Sequence, residues 1–202
     1  MTTEDVFAGL DGPYSTIVAD PPWQYRTSGI TTRTSHGTAC AEDNYSTMTN
    51  AELAALPVAS LAADDAHLYL WVTNPKMFGD RSGKGPAPVD VMEAWGFRYV
   101  TCLTWLKLPG ALGMGFYFRG QTEHVLFGVR GNAPIPADER QRNYFEDGGH
   151  FMAATRGHSV KPDLFLDLVE SVSPAPRLEL FARRPRLGWD SWGHGYEIGA
   201  AS

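Results

Sequence analysis

Residues 14–23 of this 202-residue chain read YSTIVADPPW. The run 14–19 is apolar and β-branched, which is typical of a buried strand. The run stops at Asp20, because the two prolines that follow cannot continue a central strand. The stretch therefore predicts a buried strand with the Asp20 carboxylate at its carboxyl end.

Similar apolar runs, separated by turn residues, continue along the chain. They predict strands at residues 66–73, 97–106, 124–129 and 177–182, and helices at residues 50–56, 88–95 and 161–172. Since strands and helices alternate and the strands are apolar on both faces, we expect a three-layer α/β fold with a mostly parallel sheet. Ligands of such sheets bind outside the carboxyl ends of the strands, where Asp20, Asn74 and Arg183 would emerge.

Length and composition favour one domain. A chain of 202 residues with 43% apolar residues can bury one substantial core. We expect a single domain over 1–202, with its core at about 14–192 and no internal repeat. Three connections are longer than is usual between elements, and we expect them to be functional loops: residues 24–46, 107–122 and 131–158.

Charge and cysteine usage restrict the environment and the partners. The chain has acidic residues near its start, no apolar run long enough to cross a membrane, and no cysteine spacing typical of disulfide frameworks, so we expect a cytoplasmic protein without membrane contact. A net charge of −6 argues against tight, non-specific nucleic-acid binding. Ten of the 17 Lys and Arg residues lie at or beyond Arg119, which leaves two alternatives open: a local basic face or ordinary solvated charges.

The motif that follows the first strand carries groups suited to an amine on a flat base. The Asp20 carboxylate can accept a hydrogen bond from such an amine, and the Pro21 carbonyl can act as a second acceptor. Pro21 and Pro22 restrict the turn. Trp23 offers a ring on which a purine could stack. The alternative interpretation is a strand-ending turn followed by a core aromatic.

The chain resembles a known family, the MT-A70-like adenine-N6 methyltransferases, which includes the catalytic subunit of the messenger-RNA adenosine-N6 methyltransferase and bacterial and phage relatives. The resemblance covers nearly the whole chain. It depends on the order and spacing of nine landmarks: residues 19–23 (ADPPW), 44–48 (NYSTM), 70–74 (LWVTN), 95–97 (WGF), 104–107 (TWLK), 123–129 (EHVLFGV), 161–163 (KPD), 179–183 (ELFAR) and 188–190 (GWD).

The resemblance implies a class I S-adenosylmethionine-dependent methyltransferase, with a Rossmann-like fold and a permuted order in which the catalytic motif precedes the cofactor strand. It implies that Asp20 touches the target amine and the methionine part of the cofactor. Lys161 would contact the cofactor's carboxylate end or the target nucleotide, and Glu179 and Arg183 would lie near the ribose. His194 stands where relatives usually carry Asn and is our fifth candidate for cofactor binding.

Four residues are candidates for binding the substrate. Tyr45, in the first long loop, either packs over the target base or anchors the loop. Asn74 would emerge at the carboxyl end of a strand. Glu123 has a structural or substrate-supporting role, and Lys161 is shared with the cofactor set. In the second loop, Phe116, Tyr117 and Phe118 either stack on nucleotides or close the loop onto the core, and the second alternative is favoured.

Other chemistries lack their sequence signatures. The six histidines show no i, i+4 pair and no thiol partners at zinc spacing, so we expect no metal site. A GxSxG elbow and a GxGxxG loop are both absent, which argues against a hydrolase triad and a nicotinamide dehydrogenase.

The sequence thus favours S-adenosylmethionine-dependent methylation of N6 of adenine in DNA, on an extruded base or a single strand. The same reaction on RNA is one alternative. A non-catalytic nucleic-acid-binding subunit is another, but the intact Asp-Pro-Pro-Trp motif argues against it. We expect a nucleic-acid partner, with either a homodimer or a partner subunit as a further option.

Overall fold

The computed structural model describes residues 6–24, 47–79, 85–107, 117–146 and 161–193. Within them the chain forms seven strands: β1 (Tyr14–Ala19), β2 (Ala62–Val72), β3 (Arg98–Leu106), β4 (Thr122–Arg130), β5 (Tyr144–Glu146), β6 (Arg177–Leu180) and β7 (Trp189–Trp192). It also forms three α-helices: α1 (Asn50–Ala54), α2 (Pro88–Ala94) and α3 (Asp163–Val172). None of these helices is long and apolar enough to cross a membrane.

The seven strands form one sheet in the order β5-β3-β4-β2-β1-β6-β7. β4 runs antiparallel to β2 and β3, and all the other neighbouring pairs are parallel. Six strands therefore end at one edge of the sheet, and β4 begins there. The mostly parallel sheet that the sequence predicts is confirmed.

Alternate residues of the central strands face two separate cores, as the two-residue period of a strand requires. Ile17 belongs to a cluster with Leu53 of α1 and Val91 of α2. Val18 belongs to a second cluster with Phe165 of α3. Helices therefore cover both faces of the sheet, and the predicted three-layer α/β fold is confirmed.

Local signals explain where the helices begin and end. Thr49 Oγ1 accepts a hydrogen bond from the Glu52 backbone N–H, and the Glu52 carboxylate accepts one from Thr49 N, so the two residues form a capping box at the start of α1. Gly96 follows α2 with a φ of 85°, a left-handed conformation that favours glycine after a helix. Pro162 is the N-cap of α3, so this helix begins at Asp163, two residues later than predicted.

Two strands escaped prediction. β5 lies within the predicted loop 131–158, so that segment is not a single irregular connection. β5 has three residues and β7 has four, which is too short for a periodic pattern to be distinguished from a turn. Both strands form by pairing with a longer neighbour, β5 with β3 and β7 with β6. Loop 24–46, apart from Gln24, lies outside the described residues.

A buried histidine connects three parts of the fold. His67 on β2 is 1% exposed. Its Nε2 donates to the Ala133 carbonyl at 2.7 Å, so its Nδ1 accepts from the Ser173 hydroxyl at 2.8 Å. Tyr69 and Ser173 share a further hydrogen bond of 2.7 Å. Burial lowers the pKa of His67, although the hydrogen bond to Ala133 acts in the opposite direction.

We expect this histidine to make stability depend on pH. In the unfolded chain its pKa is about 6.5, so as the pH falls below that value the unfolded chain takes up a proton that the folded protein resists. The free energy of unfolding should therefore decrease from about pH 6.5 downward. His67→Gln keeps a donor for Ala133 and should show a flatter pH dependence in urea denaturation. Equal slopes for the variant and the wild type would contradict this assignment.

Candidate active site

Charged side chains from distant parts of the chain meet at the edge where the six parallel strands end. Asp20 directly follows β1, Arg183 follows β6 by three residues, and Lys161 lies two residues before α3. Glu123 is the second residue of β4. Because β4 runs against its neighbours, its start lies at the edge where they end, and this brings Glu123 to the other three.

Lys161 lies between the two carboxylates. Its Nζ is 2.9 Å from Asp20 Oδ1 and 3.2 Å from Glu123 Oε2. The three side chains are 15–17% exposed, so their charges are largely shielded from water. The ammonium also lies 4.9 Å from the centroid of the Trp71 ring, which adds a cation–π contact. The structure thus brings together Asp20, Lys161 and Glu123, three of the predicted site residues.

The electrostatics keep Lys161 and Glu123 ionised. Burial works against the charge of Lys161, but the carboxylates of Asp20 and Glu123 raise its pKa above the ordinary value. Burial would likewise raise the pKa of Glu123, but the Lys161 and Lys107 ammonium groups outweigh it and lower that pKa. Glu123 is therefore a carboxylate at neutral pH, held by two cations.

The row of charges extends at both ends. Lys107 Nζ donates a hydrogen bond to Glu123 Oε1. At the other end, Arg183 Nη2 is 3.8 Å from Asp20 Oδ2. The edge therefore carries an alternating row, Lys107, Glu123, Lys161, Asp20 and Arg183, which we call the charge row. Lys107 was absent from the predicted site residues, although a lysine directly after an apolar strand was a usable signal.

Glu179 lies beside the charge row on β6. Its neighbours in register are Val18 on β1 and Ser191 on β7. Burial, together with the negative charge of Asp20, raises the pKa of Glu179 to about 7, against the opposing effects of Arg184 and Arg186. The Ser191 hydroxyl is buried and has no hydrogen-bond partner among the described residues. A carboxyl group and an unsatisfied hydroxyl thus lie on adjacent strands.

Asn74 emerges after β2, as predicted, but its amide is engaged within the protein. Its Nδ2 donates to Thr122 O at 3.1 Å and to Thr122 Oγ1 at 3.0 Å, and its Oδ1 accepts from His124 Nε2 at 2.7 Å. His124 in turn has Thr104 Oγ1 3.2 Å from its Nδ1. These bonds fix the start of β4, which carries Glu123. A direct role of Asn74 in substrate binding stays a prediction.

The turn after Asp20 is held by the backbone. The Pro21 carbonyl accepts from Trp23 N at 2.8 Å, which leaves one lone pair for another donor. The Pro22 carbonyl accepts from Met48 N at 2.8 Å. The first half of the motif therefore has a fixed path, and the Pro21 carbonyl keeps its predicted capacity as an acceptor.

The stacking role predicted for Trp23 is wrong. The side chain is 4% exposed and packs in the core cluster covered by α1 and α2. Its Nε1 donates to the Trp71 carbonyl at 2.9 Å, which connects the motif to the end of β2. The ring is enclosed by protein and offers no open face to a purine. The alternative interpretation, a core aromatic, describes its position.

Two predicted site residues, Tyr45 and His194, lie outside the described residues. In the part of the chain that the structure describes, no group of three or more His, Cys, Asp or Glu side chains could hold a metal ion.

Comparison with known proteins gives a family match over most of the chain. Residues 14–195 match the MT-A70 family. The chain is 34% identical over 194 residues to the Type II methyltransferase M.MunI of Mycoplasma sp, covering 89% of this chain and 76% of that relative. It is 30% identical over 179 residues to the Drosophila melanogaster N(6)-adenosine-methyltransferase MT-A70-like protein, covering 85% of this chain and 25% of the relative.

The human N(6)-adenosine-methyltransferase catalytic subunit METTL3 is 28% identical over 179 residues, with 85% of this chain and 26% of the relative covered. The chain therefore spans about three quarters of the length of M.MunI and about a quarter of the length of the Drosophila and human proteins.

Substitution of Trp23 tests its corrected role. Trp23→Ala should lower the free energy of unfolding by about 3–5 kcal/mol, because it empties a packed site and removes a buried donor. Trp23→Phe keeps most of the volume and should lose less, about 1–2 kcal/mol. Chemical denaturation measures both. Unchanged stability in Trp23→Ala together with a raised KM for nucleic acid would restore the stacking role.

Proposed function

The chain belongs to the MT-A70 family of S-adenosylmethionine-dependent adenine-N6 methyltransferases, and from this premise we propose that it methylates the N6 amine of adenine in DNA. The observation that carries the proposal is the Asp20 carboxylate, fixed by Lys161 at the carboxyl edge of the sheet. The choice of DNA follows the likeness to a Type II methyltransferase, a class of DNA-modifying enzymes, over most of the length of both chains.

The residues at this edge fit S-adenosylmethionine. Its amino-acid end carries an ammonium, which suits the Asp20 carboxylate. It also carries a carboxylate, which suits Arg183 or the remaining N–H donor of Lys161. Its ribose hydroxyls suit the Glu179 carboxyl and the unsatisfied Ser191 hydroxyl, which lie on adjacent strands. When bound, the cofactor supplies a methyl group on a positively charged sulfur.

Asp20 has one carboxylate oxygen available for the substrate. Oδ1 accepts from Lys161 at 2.9 Å, while the 3.8 Å between Oδ2 and Arg183 Nη2 exceeds hydrogen-bond length. Oδ2 can therefore accept an N–H of the adenine amine. This bond draws the nitrogen lone pair out of conjugation and stabilises the positive charge that develops on nitrogen. The free lone pair of the Pro21 carbonyl can accept the second N–H.

Glu123 and the lysines around it keep this acceptor in place. With Glu123 ionised, Lys161 is shared by two carboxylates, and its position between them limits the movement of Asp20. An amine paired inside a duplex cannot reach the sheet edge, so the adenine must be extruded or taken from a single strand. A second copy of the chain or a partner subunit would supply further phosphate contacts, since the net charge is −6.

RNA is the second candidate substrate. The relatives named for N(6)-adenosine methylation are 28–30% identical over 85% of this chain. Asp20 and Lys161 act on the base and the cofactor, and neither distinguishes deoxyribose from ribose. A non-catalytic subunit is less well supported, because the Asp20 carboxylate and its ion pair with Lys161 are both present.

A labelled-methyl transfer assay tests the proposal. Double-stranded DNA, single-stranded DNA and RNA of the same mixed sequence are each incubated with labelled S-adenosylmethionine, and the nucleosides are then separated. We expect label in N6-methyldeoxyadenosine. Label in N6-methyladenosine from RNA alone would refute the choice of DNA, and no label in any polymer would refute the catalytic role.

Asp20→Asn should reduce methyl transfer by at least about two orders of magnitude, because the amide lacks the charge that stabilises the developing cation. Asp138→Asn makes the same chemical change at an exposed position after β4 ends, at the opposite edge, and should leave the rate unchanged. Circular dichroism checks that both variants fold. Turnover by Asp20→Asn near the wild-type rate would contradict the role of the carboxylate.

A further inference from the structure

Three exposed aromatic side chains lie at the same edge of the sheet as the charge row. Tyr117 is 95% exposed and Phe118 is 91% exposed, on the segment that leads into β4. Phe78, shortly after β2 ends, is 92% exposed. The favoured interpretation of the sequence, that the aromatic run closes its loop onto the core, is wrong for Tyr117 and Phe118. Phe116 lies outside the described residues.

Contacts fix this segment beside the charge row. The Lys107 backbone N–H donates to the Gln121 carbonyl at 2.8 Å, which ties the segment to the end of β3. A Cβ on Gly120 would lie 4.0 Å from Asn74 Nδ2, so the segment passes over the end of β2. At about 3.4 Å per residue, the five residues from Phe118 to Glu123 span at most roughly 17 Å.

The chemistry of the segment suits a nucleic acid. Arg119 follows the two aromatics and is itself exposed, so a cation able to contact a phosphate adjoins two flat rings. Aromatic faces stack on any base, because every base has a π-face. Proteins also insert apolar side chains between base steps and partly unstack them.

We propose that Tyr117 and Phe118 stack on the DNA bases next to the extruded adenine, while Arg119 contacts the adjoining phosphate. This inference rests on the proposed function, since DNA is the occupant to which it commits. In this proposal, the surface segment that carries these residues positions the substrate and takes no part in cofactor binding. The pair should therefore affect KM for DNA and leave the affinity for S-adenosylmethionine unchanged.

Photocrosslinking tests the contact without requiring turnover. DNA in which 5-iododeoxyuridine replaces thymidine is irradiated with the full-length protein, and the crosslinked peptides are identified by mass spectrometry. We expect crosslinks at Tyr117 or Phe118. Crosslinks found only at other positions, or none, would overturn the inference.

Kinetics of variants give the second test. Tyr117→Ala/Phe118→Ala should raise KM for duplex DNA by at least roughly 5- to 150-fold, because that is the effect of losing one stacked base and the double variant loses both rings. Tyr117→Phe keeps the ring and should retain the wild-type KM. Leu187→Ala is the matched control, because Leu187 is 96% exposed and lies just before β7 begins, at the opposite edge of the sheet. An unchanged KM in the double variant would overturn the inference.

The outcomes separate this inference from the proposed function. Methylation of DNA without crosslinks at the aromatic pair, and with unchanged KM, would refute the inference alone. Crosslinks at the pair without methylation of any polymer would refute the proposed function alone. A third outcome is a wild type that is dimeric in sedimentation analysis and a double variant that is monomeric with unchanged KM. The surface is then a contact between copies of the chain, and the inference is refuted.

Discussion

The ion pairs of one lysine determine how the edge of this sheet is built. Lys161 is largely buried between Asp20 and Glu123, and it binds both carboxylates within 3.2 Å. Removing one member of such a group leaves a charge without its partner in a poorly hydrated place, which is strongly destabilising. The end of β1, the start of β4 and the residues before α3 are thus held together by a single ammonium group.

The cores beneath this edge give it rigidity. Trp71 lies under the ammonium at 4.9 Å and packs at 4.7 Å, centroid to centroid, on Phe165 of α3. On the opposite face, Trp23 is buried and donates to the Trp71 carbonyl. The Asp-Pro-Pro-Trp motif therefore combines two functions: its carboxylate faces the reaction site, and its indole anchors the turn in the core.

Much of this could be predicted from the sequence. The long apolar strands and the helices were predicted because their periodicity extends over many residues, whereas β5 and β7 are too short to show one and depend on pairing. Asp20, Lys161 and Glu123 were predicted as separate site residues. Lys161 joins the other two, and Lys107 extends the row, because β4 runs antiparallel to its neighbours. No local pattern in the sequence reveals that direction. Trp23 was assigned wrongly because a buried and an exposed indole have the same sequence signature.

A double-mutant cycle on Asp20 and Lys161 tests most directly whether this lysine holds the edge together. Lys161→Met should lower the free energy of unfolding by about 3–5 kcal/mol, because it leaves two carboxylates without their shared cation. Adding Asp20→Asn should recover part of that loss, so that the double variant is more stable than Lys161→Met alone in chemical denaturation. Strictly additive losses would show that the two groups do not interact and would contradict the role of Lys161 at this edge.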